Sequence, residues 1–254
     1  MAARSALTCI VTGASRGVGA ATARLMAQNG HNVIINCSQS VAEAATVEAE
    51  CQALGGAAQV IQADISTEEG CRLLVSETAL RFSGIDVIIN NAGTTKFAFN
   101  HADMDALNGD DFQRIYATNV IGPYNLVKYA KPHLLKSRAP SVVNVASIAG
   151  VTGIGSSVAY AASKGALITM TKSLARALGP IKVNAVCPGF IQGEWLKNGL
   201  GAEKYESVKR SIESGNPLNK TSTAEDIAES IFFFACGQNI ITGEILIVDG
   251  GAHL

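Results

Sequence analysis

The chain has 254 residues, 48% of them hydrophobic and 16% charged, which is enough apolar material for one large core and excludes an intrinsically disordered chain. With 20 basic residues against 21 acidic ones, the charge balance argues against a nucleic acid or an anionic membrane as partner and favours a small-molecule ligand. The opening MAARSA lacks the apolar core of a secretory signal, and the longest strongly apolar runs, such as 231–235, are far too short to cross a bilayer. A cytoplasmic location is expected.

In chain order, LTCIVT (7–12) predicts the first strand, and TGASRGVG follows it directly, with Gly13, Gly17 and Gly19. Glycines there permit a tight strand-to-helix turn and let the backbone approach a pyrophosphate, whose charge is favoured by the N-terminus of the helix predicted at 18–29. The spacing differs from the usual dinucleotide fingerprint, so the position of the turn at the first strand-helix junction carries the reading. The second strand, NVIINC (32–37), ends without the acidic residue that commonly accepts hydrogen bonds from the ribose 2′-hydroxyl of NAD. Its first following carboxylate, Glu43, already lies in the next helix (41–54), whereas Arg16 and Ser38 can receive a 2′-phosphate. NADP(H) is therefore preferred and NAD(H) possible.

Strands at 57–63, 86–90, 141–147, 182–187 and 244–249 alternate with helices at 67–82, 110–136, 157–178 and 224–235. Near-continuous apolar strands between helices predict a single-domain doubly wound α/β fold, with a parallel sheet covered on both faces. No linker or repeat divides residues 1–254, and the weakly patterned stretch at about 188–222 is expected to be a long substrate loop containing Trp195, which either covers a substrate or packs the loop. The helices at 110–136 and 157–178 are apolar over more than one stripe, so oligomerisation is expected.

VAYAASKGAL (158–167) is helix-favouring and places Tyr160 and Lys164 on one face. A tyrosine with an ordinary pKa near 10 exchanges protons poorly at neutral pH, and a nearby ammonium favours its phenolate. Tyr160 is thus a candidate general acid and base, with Ser147 a candidate donor to developing negative charge. The six scattered cysteines are expected to be reduced core residues, and His31, His101, His133 and His253 have no metal-ligand spacing.

Together, TGxxxGxG at 12–19, NNAG at 90–93, Asn119, Ser147, Tyr160 with Lys164, and PG at 188–189 resemble the short-chain dehydrogenase/reductase family over almost the whole chain. Among its subgroups the sequence is most similar to the 3-oxoacyl-acyl-carrier-protein reductase type. The resemblance implies a seven-stranded Rossmann-type sheet, a nicotinamide cofactor and a homotetramer. It implies cofactor contacts from Gly13, Ser15, Arg16, Gly17, Val18 and Gly19, from Asp64 and Ile65 at the adenine, and from Asn91, Ala92 and Gly93. Pro188, Gly189 and Ile191 would flank the nicotinamide, Lys164 would bind its ribose, and Asn119 would hold a water linking Lys164 to solvent.

Three departures stand out. Gly193 replaces the threonine that many relatives use at the carboxamide, and the stretch from Thr94 to Phe112 looks longer than in fatty-acid-synthesis members. Lys136 and Arg138 are the candidate basic surface for an acyl carrier protein, but LGPIKV lacks the arginine expected there. The leading expectation is reduction of a ketone, either a 3-oxoacyl thioester or a free carbonyl compound. The alternatives are an alcohol or sugar dehydrogenase using the same site, and a non-catalytic nucleotide-binding protein.

Overall fold

The computed structural model describes residues 6–237 and 239–254; of the MAARSA segment, the first five residues lie outside that range. Seven parallel strands run β1 Thr8–Val11, β2 Asn32–Cys37, β3 Ala58–Gln62, β4 Val87–Asn90, β5 Ser141–Val145, β6 Lys182–Pro188 and β7 Ile245–Val248. They are ordered β3-β2-β1-β4-β5-β6-β7, as the doubly wound expectation requires. β1 pairs with both β2 and β4, so the strand order reverses there and opens a crevice at the carboxyl ends, where ligands of such sheets bind.

Both sheet faces are covered, which explains why the strands read as unbroken apolar runs. On one side α1 (Gly17–Gln28), α2 (Val41–Ala53) and α10 (Ala224–Phe232) pack on Cys9, Val11, Val33, Ile35 and Ile89. Ile10, Ile34, Ile88 and Val142 point to the other side, which is covered by α3 (Glu68–Phe82), α5 (Gly122–Leu134) and part of α7 (Val158–Ala177). A buried relay, Asn90 to Asn144 at 2.8 Å and Asn144 to Thr171 at 2.8 Å, ties β4, β5 and α7 together and fixes the height of α7 against the sheet.

Two expectations need correcting. The single helix predicted at 110–136 is α4 (Gly109–Tyr116) and α5 joined by a wide π turn, Ala117–Ile121, whose buried member is Asn119. Insertions of this kind bring one side chain out of helical phase and recur at functional sites. The stretch at 188–222 is not a long loop: it folds into α8 (Glu194–Leu200) and α9 (Ala202–Gly215), and the short helix α6 (Ala149–Thr152) follows β5. None of the six cysteines forms a disulfide, and five are buried. No described helix is long and apolar enough to cross a membrane.

Candidate active site

The glycine turn lies at the strand-order reversal, and its composition follows from contacts. A Cβ on Gly13, whose φ is +61°, would fall 2.8 Å from the Cα of Ala92, the residue just past β4. One on Gly19 would fall 2.4 Å from the Gly13 carbonyl oxygen and 2.6 Å from Asn91 Nδ2. Asn91 donates from that amide to the carbonyls of Thr12 and Gly13, while Thr12 Oγ1 accepts from the N–H groups of Asn91 and Ala92. Asn91 thus braces the turn, and Thr12 is a member of the site that the sequence motif contained without revealing its task.

The N-terminus of α1 has no side-chain cap and no acidic residue in its first turn, unlike α3 and α10, whose ends are closed by Thr67 and Thr223. Open backbone donors, the helix dipole and a cradle that admits no Cβ fit a pyrophosphate. Val18 is buried in the first turn of α1, Ser15 is half-buried, and Arg16 is exposed at the N-cap. The N–H of Ala14 donates to the carbonyl of Asn36 at 2.9 Å, which sets the turn beside the exposed Ser38 at the end of β2.

Asp64 is exposed at the end of β3 and its carboxylate accepts from the N–H of Ser66. Ile65 is different: its side chain belongs to the core and its carbonyl abuts Gly122, which leaves backbone, not side chain, for a ligand. On the far side of the crevice the Pro188 carbonyl accepts from the N–H of Ile148 at 2.9 Å, which places the PG pair next to Ser147. Gly189 lies so close to Asp249 that a Cβ would approach the Asp249 Cβ to 2.5 Å. Ile191 is half-buried and bridged to Ser222.

Ser147 follows β5 by two residues, and α7 is preceded by Ser157, whose hydroxyl accepts from the N–H of Tyr160 and caps the helix. These elements set the Ser147 side chain beside the Tyr160 phenol, close enough to lower its pKa. Lys164, one turn on, is 3% exposed and donates to the Val145 carbonyl at 2.7 Å, with its nitrogen 5.7 Å from the Tyr160 ring centre. Gly93 completes the enclosure: a Cβ there would lie 3.5 Å from both Lys164 Nζ and Asn119 Oδ1.

The acidity of the phenol departs from expectation. Burial pushes Tyr160 up to about 12 against the lowering effect of the Ser147 side chain, and burial brings Lys164 down to about 8. Desolvation penalises the charged form of each and is the largest influence on both. At neutral pH the phenol is therefore a proton donor. Cys187, buried nearby, is pushed up to about 11 by its burial and stays a neutral thiol.

Asn119 is tied to two elements at once. Its amide donates to the Thr94 carbonyl at 3.0 Å and to Ser163 Oγ at 2.9 Å, and its oxygen accepts from the Thr94 N–H at 2.8 Å. Both amide hydrogens are thus committed to protein, and the side chain fastens the loop after β4 to α7. Thr94 and Ser163 could not be picked out from sequence, because nothing local to either names a partner so distant in the chain. Lys136 and Arg138 stand away from all of this. Ser137 between them bonds Asp86, which precedes β4, so the pair lies at the amino ends of the strands, opposite the crevice.

Residues 13–253 match the profile of a family described as enoyl-(acyl carrier protein) reductase. A Streptomyces violaceoruber protein, named as a candidate ketoacyl reductase 2 of the granaticin polyketide synthase, is 38% identical over 99% of this chain and 98% of its own length. A 3-oxoacyl-[acyl-carrier-protein] reductase of Synechocystis is 35% identical over 99% of this chain and 98% of its own. A crystal structure of NAD+-bound xylitol dehydrogenase superposes with a TM-score of 0.88 at 27% identity, covering 97% of this chain and 99% of that one.

Proposed function

The chain belongs to the short-chain dehydrogenase/reductase family, and from that premise we propose that it reduces a ketone to a secondary alcohol with NADPH, Tyr160 supplying the proton. It is an NAD(P)-dependent oxidoreductase, and its likeness to ketoacyl reductases supports ketone reduction. The observation that carries the finer reading is the placement of Lys164 Nζ 5.7 Å from the ring centre of the half-buried Tyr160, one helical turn away, with Ser147 beside the phenol.

When bound, the nicotinamide supplies the hydride. Gly13, Gly17 and Gly19 with the open N-terminus of α1 would hold its pyrophosphate, and Ser15 and Val18 line the same turn. Arg16 and Ser38 would receive the 2′-phosphate that distinguishes NADPH. Asp64 and the Ile65 backbone would meet the adenine end, Asn91, Ala92 and Gly93 the middle, and Pro188, Gly189 and Ile191 the nicotinamide end. Ser147 orients the substrate carbonyl and stabilises negative charge developing on its oxygen, which takes the Tyr160 proton. Asn119 acts as a positioning residue that keeps the Thr94 loop against α7, beside Lys164.

The substrate we favour is a 3-oxoacyl thioester, in keeping with the acyl carrier protein reductase from Synechocystis. Docking of a carrier through Lys136 and Arg138 is disfavoured by their place at the opposite end of the sheet. Oxidation of an alcohol or sugar is the second reading, favoured by the likeness to xylitol dehydrogenase. Exposed Ile121 and Tyr124 offer apolar surface for a homotetramer, and a cytoplasmic location accompanies the same reading. The test is cofactor consumption with a short 3-oxoacyl thioester, comparing NADPH with NADH and wild type with Tyr160→Phe. Selective NADPH turnover lost in the variant supports the reading; an untouched thioester moves the search to free ketones and sugars.

A further inference from the structure

We propose that Phe97, Phe99 and Trp195 form a specificity-determining wall that selects ketones with a planar, unsaturated ring near the carbonyl; the inference rests on the ketone-reducing reading of the Tyr160 site. The rings run outward in sequence from the proton donor. The Trp195 ring centre is 6.0 Å from that of Tyr160, Phe97 is 5.3 Å from Trp195, and Phe99 is 5.4 Å from Phe97. Lys204 Nζ stands 5.2 Å from the centre of the outermost ring.

The wall is built before any ligand arrives. The N–H of Ala98, between the two phenylalanines, donates to the Ser156 carbonyl at 2.7 Å, Thr95 bonds Ser156 at 2.8 Å, and the His101 ring bonds the Gly155 carbonyl at 3.2 Å. Those partners lie immediately before Ser157, the cap of the helix that carries Tyr160, so one short segment fixes both the wall and the proton donor. From the other side α8 sits flush on Phe97: a Cβ on Gly199 would fall 2.3 Å from that ring. The same helix presents Trp195.

Rings that served only to close α8 over the site would be buried by doing so. Trp195 instead remains 45% exposed while touching the proton donor, leaving indole surface for a ligand. A saturated body would gain only the area it buries there. A planar unsaturated ring gains in addition roughly two- to tenfold per stacked pair from the ring quadrupoles.

The test uses 2-tetralone and trans-2-decalone, ketones of one carbon skeleton that differ in the unsaturation of the ring away from the carbonyl. With the better of NADPH and NADH, wild type is expected to favour 2-tetralone in kcat/KM by about tenfold. Trp195→Leu and Phe97→Leu should bring the ratio to within about twofold of one, and Trp195→Phe should restore much of it. Trp195 is the sole tryptophan, so its fluorescence reads occupancy without turnover, and saturable quenching by 2-tetralone but not by trans-2-decalone is expected. Equal turnover of the two ketones, or a preference unmoved by both leucine variants, would overturn the wall. If neither ketone nor the thioester consumes either cofactor, the reductase reading fails, and the fluorescence titration alone decides for or against the wall.

Discussion

The ammonium of Lys164 donates to the main-chain carbonyl of Val145 at 2.7 Å and stands 5.7 Å from the centre of the Tyr160 ring. Anchored to β5, it reaches under the phenol ring while its own charge is paid for in lost hydration. The pair therefore consists of two groups that both resist ionisation, Tyr160 near 12 and Lys164 near 8.

That arrangement has a pH signature. Unfolded, Lys164 keeps its proton to about 10.5, whereas the folded protein has released it by about 8, so this group's contribution to stability rises between those values. Tyr160 has the opposite sign: the folded phenol holds its proton to about 12 and the unfolded one loses it near 10, so its contribution falls across that interval. The stability of wild type relative to Lys164→Met should climb from pH 8 to 10.5 by an amount on the order of 3 kcal/mol. Urea midpoints of both proteins across that range check it, and a flat difference would count against the buried ammonium.

Tyr160→Phe removes the proton donor and keeps the ring that packs against Trp195. Turnover should fall by about 10²–10⁴-fold, with cofactor affinity changed little. Steady-state rates together with a cofactor titration separate the two effects; a variant retaining more than about a tenth of the rate would remove Tyr160 from the proton-donor role.

Gly19→Ala and Gly17→Ala should part company. At Gly19 the new Cβ would meet backbone at 2.4 Å, so the turn must shift, with about 1–3 kcal/mol lost and cofactor binding weakened. At Gly17 nothing lies within 4 Å and only the left-handed φ of +55° resists, at about 1–2 kcal/mol. Denaturation and cofactor titration of each variant give the comparison, and equal losses of affinity would refute the cradle argument.

Cofactor choice should follow Arg16 and Ser38. Arg16→Ala combined with Ser38→Asp exchanges a phosphate receptor for a carboxylate suited to a ribose diol. The NADPH to NADH ratio of kcat/KM should drop by about 100-fold or more, as expected for two charge-assisted contacts of roughly 1.5–3 kcal/mol each. A ratio that stays put would mean that the 2′-position is read elsewhere.

Much of this was legible in the sequence, for reasons particular residues make plain. Ile10, Ile34 and Ile88 face one layer of helices and Val11, Ile35 and Ile89 the other, so each strand had to be apolar at consecutive positions. The motif residues were legible because each is confined to one type: Gly19 by the Gly13 carbonyl, Tyr160 by its chemistry. The two helices after β6 were not. α9 does carry a stripe, Tyr205, Val208 and Ile212, but only three residues wide in a segment otherwise rich in charge and serine, of which Tyr205 alone is fully buried, and α8 is a short segment bounded by glycines. Phe97 and Phe99 also escaped notice. Their alternate spacing after NNAG was a visible signal, but its meaning depends on the pairing of Ala98 with Ser156, 58 positions along the chain.

The π turn at Ala117–Ile121 amounts to one surplus residue in an otherwise continuous helical rod. Each residue turns an α-helix by about 100°, so deleting one residue there would straighten the hydrogen-bond ladder and rotate everything beyond it by that angle. Leu126, Ala130 and Leu134, which now form a single file against the sheet, would swing toward water, or Ile115 and Asn119 would swing out in their place. A gap of one at this point in an alignment is therefore no small edit: the two halves of the rod are phased separately, one to the catalytic crevice and one to the core.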